Sequence, residues 1–243
     1  MDLELLEELK AISNCHTAER YSSGDSKATS CSSKVSSSDS SATTATATNS
    51  TTSFLEQAAE DSQLNQYWYS QHTIDTLRDA IQEGVTSLDK DAPRVAFLST
   101  PSLYFAFDEA KRRNFHLFDF DSKAPWSNDA NYVYFDYNHP LSFDESLRNT
   151  FDMVVIDPPF ITREVWDKYA ATTEALATDS TGSSLKPLVL ATTVHENAPL
   201  MKELFDATPT VFQPSIPNLV YQYASFTNFP CNCLAQPNEE IPL

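Results

Sequence analysis

Two consecutive prolines end a run of buried-strand residues in this chain, and that fixes where one acid must sit. The run is Phe151-Asp152-Met153-Val154-Val155-Ile156, and it leads into Asp157-Pro158-Pro159-Phe160. Met153 to Ile156 is continuously apolar and rich in β-branched residues, which predicts a strand covered on both faces, as in a parallel sheet. A strand cannot continue through Pro158 and Pro159, because neither prolyl nitrogen donates to a ladder and each ring fixes φ. Asp157 therefore falls at the carboxyl end of the strand, followed by a rigid turn and an aromatic ring. Open α/β sheets bind ligands at that edge.

Asp-Pro-Pro-aromatic suits chemistry on an amino group. The Asp157 carboxylate and a carbonyl of Pro158-Pro159 can accept amino hydrogens and aim the nitrogen lone pair. Phe160 can stack on a flat substrate or lie beside a cation. The prolines hold the acceptors still, as positioning catalysis requires. An Asp-Pro turn after a core strand is the plainer alternative.

The remaining apolar content is unevenly spread. Of the 32 residues from Ser22 to Ser53, 20 are Ser or Thr, and Val35 is the one large aliphatic. Such a segment buries too little apolar surface to offset its ordering entropy and is expected to be disordered, as a plain linker or a phosphorylated tail. Before it, Leu3, Leu6, Leu9 and Ile12 stand among glutamates as a short one-faced helix. That segment lacks a secretory signal's cationic start and the basic character of a transit peptide, and no later run approaches membrane-spanning length. A cytosolic location is expected. The expected division is an arm over 1–55, a folded domain over 56–230 and a C-terminal tail over 231–243.

Net charge is −18, of which −15 lies beyond residue 55. This weighs against tracking nucleic-acid phosphates and favours a basic protein partner. The one dense basic run, Lys111-Arg112-Arg113, is expected to complement a helix dipole. Cys15, Cys31, Cys231 and Cys233 all fall outside the expected core, as free thiols. Cys231-x-Cys233 has no second pair of ligands, so no metal site is expected.

From Phe54 onward strands and helices alternate. Tyr67-Trp68-Tyr69 precede a helix over about 71–83, with Ser70 as N-cap, Ile74, Leu77 and Ile81 as the buried stripe and Gly84 as the stop. The three aromatics form either a ligand wall or packing. Arg94 to Ser99 reads as a buried strand running into a helix with Thr100 at its N-cap and Pro101 first, whose amides would face an anionic group. Phe115 to Asp121 is a strand ending in acids. Asp119 and Asp121 are either ribose-hydroxyl acceptors or a solvated strand end. Tyr132 to Tyr137 ends in Asp136, which can bind an adenine amino group. A short helix over 142–149, a helix over 162–177, a strand over 186–193 and a helix through Leu200, Met201, Leu204 and Phe205 follow. Thr210 to Gln213 and Leu219 to Phe229 are expected to form an antiparallel pair, since their link is too short for a helical crossover. The pattern predicts a three-layer α/β domain.

Residues 64–229 resemble the class I S-adenosylmethionine-dependent methyltransferases. More narrowly they are similar to the N6-adenine-methyltransferase-like group whose members methylate lysine on translation elongation factor 1-alpha. The residues carrying this are Gln66 to Ser70, Ser99 to Tyr104, Asp119 to Asp121, Tyr134 to Asn138, Asp157 to Phe160 and Phe212 to Ser215, in the group's order. The resemblance implies a Rossmann-like seven-strand sheet, mostly parallel with a C-terminal antiparallel hairpin. It implies S-adenosyl-L-methionine held by Trp68, Tyr69, Ser70, Ser99, Thr100, Ser102, Asp119, Asp136 and Tyr137. It places catalysis on Asp157, Pro158, Pro159 and Phe160. The Gly-rich loop usual after the first strand is replaced by Ser99-Thr100-Pro101-Ser102, and the whole chain has only three glycines. Elongation factor 1-alpha is the implied partner. Two alternatives share the site: N6 methylation of adenine in nucleic acid, where the base would be flipped out and stacked, and a methyltransferase fold kept as a binding module.

Overall fold

Strand β1 (Val95–Leu98) is inaccessible at all four positions, and each neighbouring strand repeats its two-sided burial. In the computed structural model β1 pairs in parallel with β2 (Phe115–Asp119) on one side and β4 (Met153–Ile156) on the other. Outside these lie β3 (Tyr132–Tyr134) and β5 (Leu188–Val194), also parallel. β7 (Tyr223–Thr227) joins β5 antiparallel, and the two-residue β6 (Thr208–Pro209) closes the sheet against β7. The order is β3-β2-β1-β4-β5-β7-β6. The structure describes residues 54–56, 58–178 and 187–242. The predicted N-terminal helix, the Ser/Thr-rich segment, Cys15 and Cys31 lie outside them.

Successive strand residues point to opposite faces, so one strand serves two cores. Val95, Phe97, Met153 and Val155 pack with Ile74, Leu77 and Ile81 of helix α1 (Gln71–Ser87). Ala96, Leu98, Val154 and Ile156 pack with Val165, Trp166 and Tyr169 of α4 (Arg163–Leu176), and with Met201 and Phe205 of α5 (Ala198–Phe205). Each fully buried side chain of this size contributes roughly 1.5–3 kcal/mol of hydrophobic stabilisation. The three-layer seven-strand fold expected from the sequence is the one formed.

Several boundaries differ, each for a local reason. α1 runs through Gly84 to Ser87, because Gly84 serves close packing and not a stop. A Cβ there would lie 3.0 Å from the Phe229 ring and 3.4 Å from Met153 Sδ. After β1 the chain makes two single turns, α2 (Pro101–Tyr104) and α3 (Glu109–Arg112). Arg112 at the end of α3 lies 4.7 Å over the Phe105 ring and pairs with Asp129 at 2.5 Å, a packing role beyond complementing a dipole. Residues 142–149 hold only a 3₁₀ turn over Glu145–Leu147. The antiparallel pair of the C-terminus is present, but its first strand is Thr208–Pro209 and residues 210–222 form a long connection. Cys231 and Cys233 are half-buried against the α1-side core. Their tail folds back on α1, with Leu234 buried.

Candidate active site

β4 lies between β1 and β5 with its Ile156 beside Leu98 and Ala191. Asp157 follows at the carboxyl edge, its N–H donating to the Leu98 carbonyl at 3.2 Å before the prolines end the ladder. Its carboxylate accepts a hydrogen bond from the Tyr69 hydroxyl, and that hydroxyl lies 2.7 Å from Thr192 Oγ1 on β5. Burial pushes the Asp157 carboxyl up to about 7, and the bonds from Tyr69 and Thr192 offset only part of that rise. Tyr69 is raised well above its ordinary range, first by burial and then by the Asp157 charge, so it stays protonated as the donor.

Tyr69 reaches this edge because Ser70 begins α1. The Ser70 hydroxyl accepts the Thr73 N–H at 3.1 Å, and its own N–H donates to the Ser215 carbonyl at 2.8 Å. Asn65, in left-handed backbone with φ 57°, donates its side-chain amide to the Pro159 carbonyl. One pre-helical segment thus grips both ends of the Asp-Pro-Pro turn. Phe160 sits half-buried with its ring centroid 6.2 Å from Tyr137, which stacks at 6.3 Å on Tyr169 and carries Lys168 Nζ 5.3 Å above its face. An acid held by two hydroxyls, beside an aromatic wall, can accept an amine proton and shield it from water.

The residues expected to hold a cofactor separate into two groups. Ser99 takes φ 57°, the left-handed conformation a glycine usually supplies after a first strand, and its hydroxyl lies 2.7 Å from the Tyr169 hydroxyl. Thr100 precedes α2 as expected, but its hydroxyl does not cap the turn. That hydroxyl is buried with no partner among the described residues, as is fitting for a group that a ligand satisfies. Ser102 is buried in the same turn. Asp119 is buried at the end of β2, so it is no solvated strand end. Burial raises its carboxyl to about 6 while Trp126 Nε1 at 3.3 Å and the Asp121 N–H at 2.9 Å donate to it. These features fit a nucleoside bearing a cationic sulfur.

The others are engaged locally. Asp121 accepts the N–H groups of Lys123 and Ala124, shaping its own turn. Asp136 accepts the Asn138 N–H at 2.9 Å and faces His139 Nδ1 at 3.2 Å. Trp68 donates to the Ala58 carbonyl at 2.9 Å and packs against Phe54 and Trp126. Of the three pre-helical aromatics, Tyr69 is the one that reaches Asp157. Sequence patterns did not single out Asn65 or Thr192. The polar pair Thr192-Thr193 inside the apolar strand over 188–194 was the available signal for the second.

Comparison with known proteins places the chain in a family. The family model described as probable N6-adenine methyltransferase matches residues 60–231. The protein-lysine N-methyltransferase EFM5 of Saccharomyces cerevisiae is 30% identical over 186 residues, 71% of this chain and 73% of the yeast protein. A protein-lysine N-methyltransferase of Caenorhabditis elegans is 28% identical over 185 residues, 72% of this chain and 81% of that one. The human EEF1A lysine methyltransferase 1 is 33% identical over 120 residues, 48% of this chain and 54% of the human protein. The chain thus spans about half the length of the human relative. No helix among the described residues is long and apolar enough to cross a membrane. Because the matched segment contains every strand of the sheet and the whole Asp157 constellation, the chain belongs to the probable N6-adenine methyltransferase family.

Proposed function

We propose that this chain is an S-adenosylmethionine-dependent protein-lysine N-methyltransferase acting on translation elongation factor 1-alpha in the cytoplasm. The observation that carries the reading is the Asp157 carboxyl, raised to about 7 and bonded by Tyr69 at a proline-locked strand end. The names of the yeast, worm and human relatives support the substrate class.

S-adenosylmethionine, when bound, supplies an electrophilic methyl group on a sulfonium sulfur. Ser99, Thr100, Ser102, Asp119, Asp136 and Tyr137 would hold it, Asp136 keeping its local bond from the Asn138 N–H, while Trp68 and Ser70 shape the segment that carries Tyr69. A lysine ammonium, which in water titrates at about 10.4, must lose a proton before its nitrogen can attack. Asp157 accepts that proton, and Pro158-Pro159 hold the acceptor in place. Phe160 and Tyr137 wall the aliphatic stem and keep water from the nitrogen. The domain is residues 56–230, with an arm over 1–55 and a tail over 231–243.

The family's description makes adenine the second reading. Against it, Arg112 of the one basic run is committed to Asp129, and the chain is strongly acidic. The test is transfer of tritium from labelled S-adenosylmethionine to purified elongation factor 1-alpha, wild type against Asp157→Ala. Label on factor lysines that vanishes in the variant is expected. Label on adenine alone would replace the substrate. Absence of cofactor binding in calorimetry would reduce the chain to a binding module.

A further inference from the structure

At the other end of the sheet from Asp157, residues 231–233 of the C-terminal tail are fastened to α1 by the Glu83 carboxylate, while Asn238 further along bonds Thr73 of the same helix. Glu83 lies beside Gly84, which packs on Met153 at the start of β4, so the strand's length separates this place from the candidate active site. The Glu83 carboxylate accepts the backbone N–H of Asn232 at 2.9 Å and 3.0 Å, that of Cys233 at 3.1 Å, and the Asn232 side-chain amide at 2.7 Å. The Cys231 thiol donates to it at 3.5 Å. These bonds turn the tail so that both thiols of Cys231-x-Cys233 gather at the acid.

The Sγ atoms of Cys231 and Cys233 and a carboxylate oxygen of Glu83 all lie within 4.8 Å of one another, and all three residues are half-buried. Around zinc, with bonds of about 2.3 Å to sulfur and about 2.0–2.2 Å to oxygen, tetrahedral ligand atoms stand roughly 3.5–3.8 Å apart. Side-chain rotation of about 1 Å closes the present triangle to that size.

We propose that Glu83, Cys231 and Cys233 bind a thiophilic divalent cation of the zinc class, pinning the C-terminal tail to α1. Sequence spacing could not show this, because the third ligand stands nearly 150 residues before the cysteine pair. The backbone N–H bonds alone suffice to anchor the tail, so they do not account for two thiols converging on the same acid. Two thiolates and a carboxylate select zinc-class ions over magnesium or calcium, whose ligands are oxygens. On binding, each thiol releases its proton to solvent and gives a sulfur lone pair to the ion. Three protein ligands leave the fourth position to water.

The test is titration of the full chain, stripped with chelator and kept reduced, with cobalt(II) as a coloured probe. One equivalent should raise a thiolate-to-cobalt charge-transfer band in the near ultraviolet, and one equivalent of zinc should displace it. The band should survive Cys15→Ser with Cys31→Ser, the two cysteines elsewhere in the chain. It should be lost in Cys231→Ser and in Cys233→Ser, and affinity should fall at least about tenfold in Glu83→Gln. Circular dichroism confirms that each variant is folded, and zinc should raise the melting temperature of the wild type but not of the cysteine variants. A chain that gives no band, or keeps it without Cys231 and Cys233, overturns the proposal. So does a Cys231–Cys233 disulfide formed on air oxidation while the reduced chain takes up no metal.

Discussion

The Tyr69 hydroxyl and the Asp157 carboxylate are joined by a hydrogen bond across 88 residues of sequence, from the segment before α1 to the end of β4. The bond opposes the effect of burial on the acid, because a donor favours the charged carboxylate. Under the proposed mechanism Tyr69 would act through Asp157 as a positioning residue.

Tyr69→Phe keeps the ring and its packing and removes only the donor. Under the proposed mechanism kcat should fall about 10- to 100-fold, the equivalent of a ~1.5–3 kcal/mol hydrogen bond to a charged acceptor. KM for the protein substrate should change little, since the hydroxyl is bonded to Asp157 and Thr192 and not to the surface. Initial rates with purified elongation factor decide it. A Tyr69→Phe enzyme as fast as wild type would sever Tyr69 from the chemistry.

The pH dependence follows from the same acid. If Asp157 accepts the amine proton, it must be charged in the free enzyme, so kcat/KM should fall as pH drops through about 7. In Tyr69→Phe this acid limb should move to higher pH, because the bond that lowers the Asp157 pKa is gone. Methyl-transfer rates from pH 5.5 to 9 would show both. A limb that stays put in the variant places the titration on another group.

How far these features were legible in the sequence depended on whether they were local. Asp157 was placed by its neighbours alone, since an apolar run before two prolines leaves an acid one position to occupy. The two-sided burial of β1 and β4 was legible in the same way. Gly84 shows the opposite case. Its helix looked finished because glycine is a common stop, but the residue answers to the Phe229 ring across 145 positions, which no local pattern records. Asn65 and Thr192 escaped notice for the same reason. Each matters through one bond to a residue far away in sequence, and neither breaks the local pattern strongly.

Gly84→Ala tests that packing. In an exposed helix the change would stabilise by about 1 kcal/mol. Here the added Cβ meets the Phe229 ring at 3.0 Å and 3.1 Å and Met153 Sδ at 3.4 Å, and overpacking of a filled core costs typically ~1–3 kcal/mol. Phe229 and Met153 are both buried and have little room to yield, so net destabilisation is expected. Urea unfolding should show a lower midpoint with an unchanged slope. A higher midpoint would mean that the Phe229 ring shifts freely.

Asp157→Asn should separate catalysis from stability. Asp157 titrates at about 7 in the fold against 3.8 for an unperturbed aspartate, so the folded state binds its proton more tightly than the unfolded chain does. The sign follows from linkage: this contribution to stability is complete below the unfolded pKa and is lost as pH rises through the folded one. At pH 8 the wild type therefore carries a buried charge at a cost that asparagine avoids, while the asparagine oxygen can still accept the Tyr69 hydroxyl. The variant should lose methyl transfer yet be more stable at pH 8, by about 1–3 kcal/mol after allowing for partial solvation of the acid. The difference should shrink as pH is lowered through 7 towards 5.5. Urea midpoints of both proteins across that range measure it directly. A variant less stable than wild type at pH 8 would mean that the hydroxyls of Tyr69 and Thr192 outweigh burial, and that Asp157 is held charged.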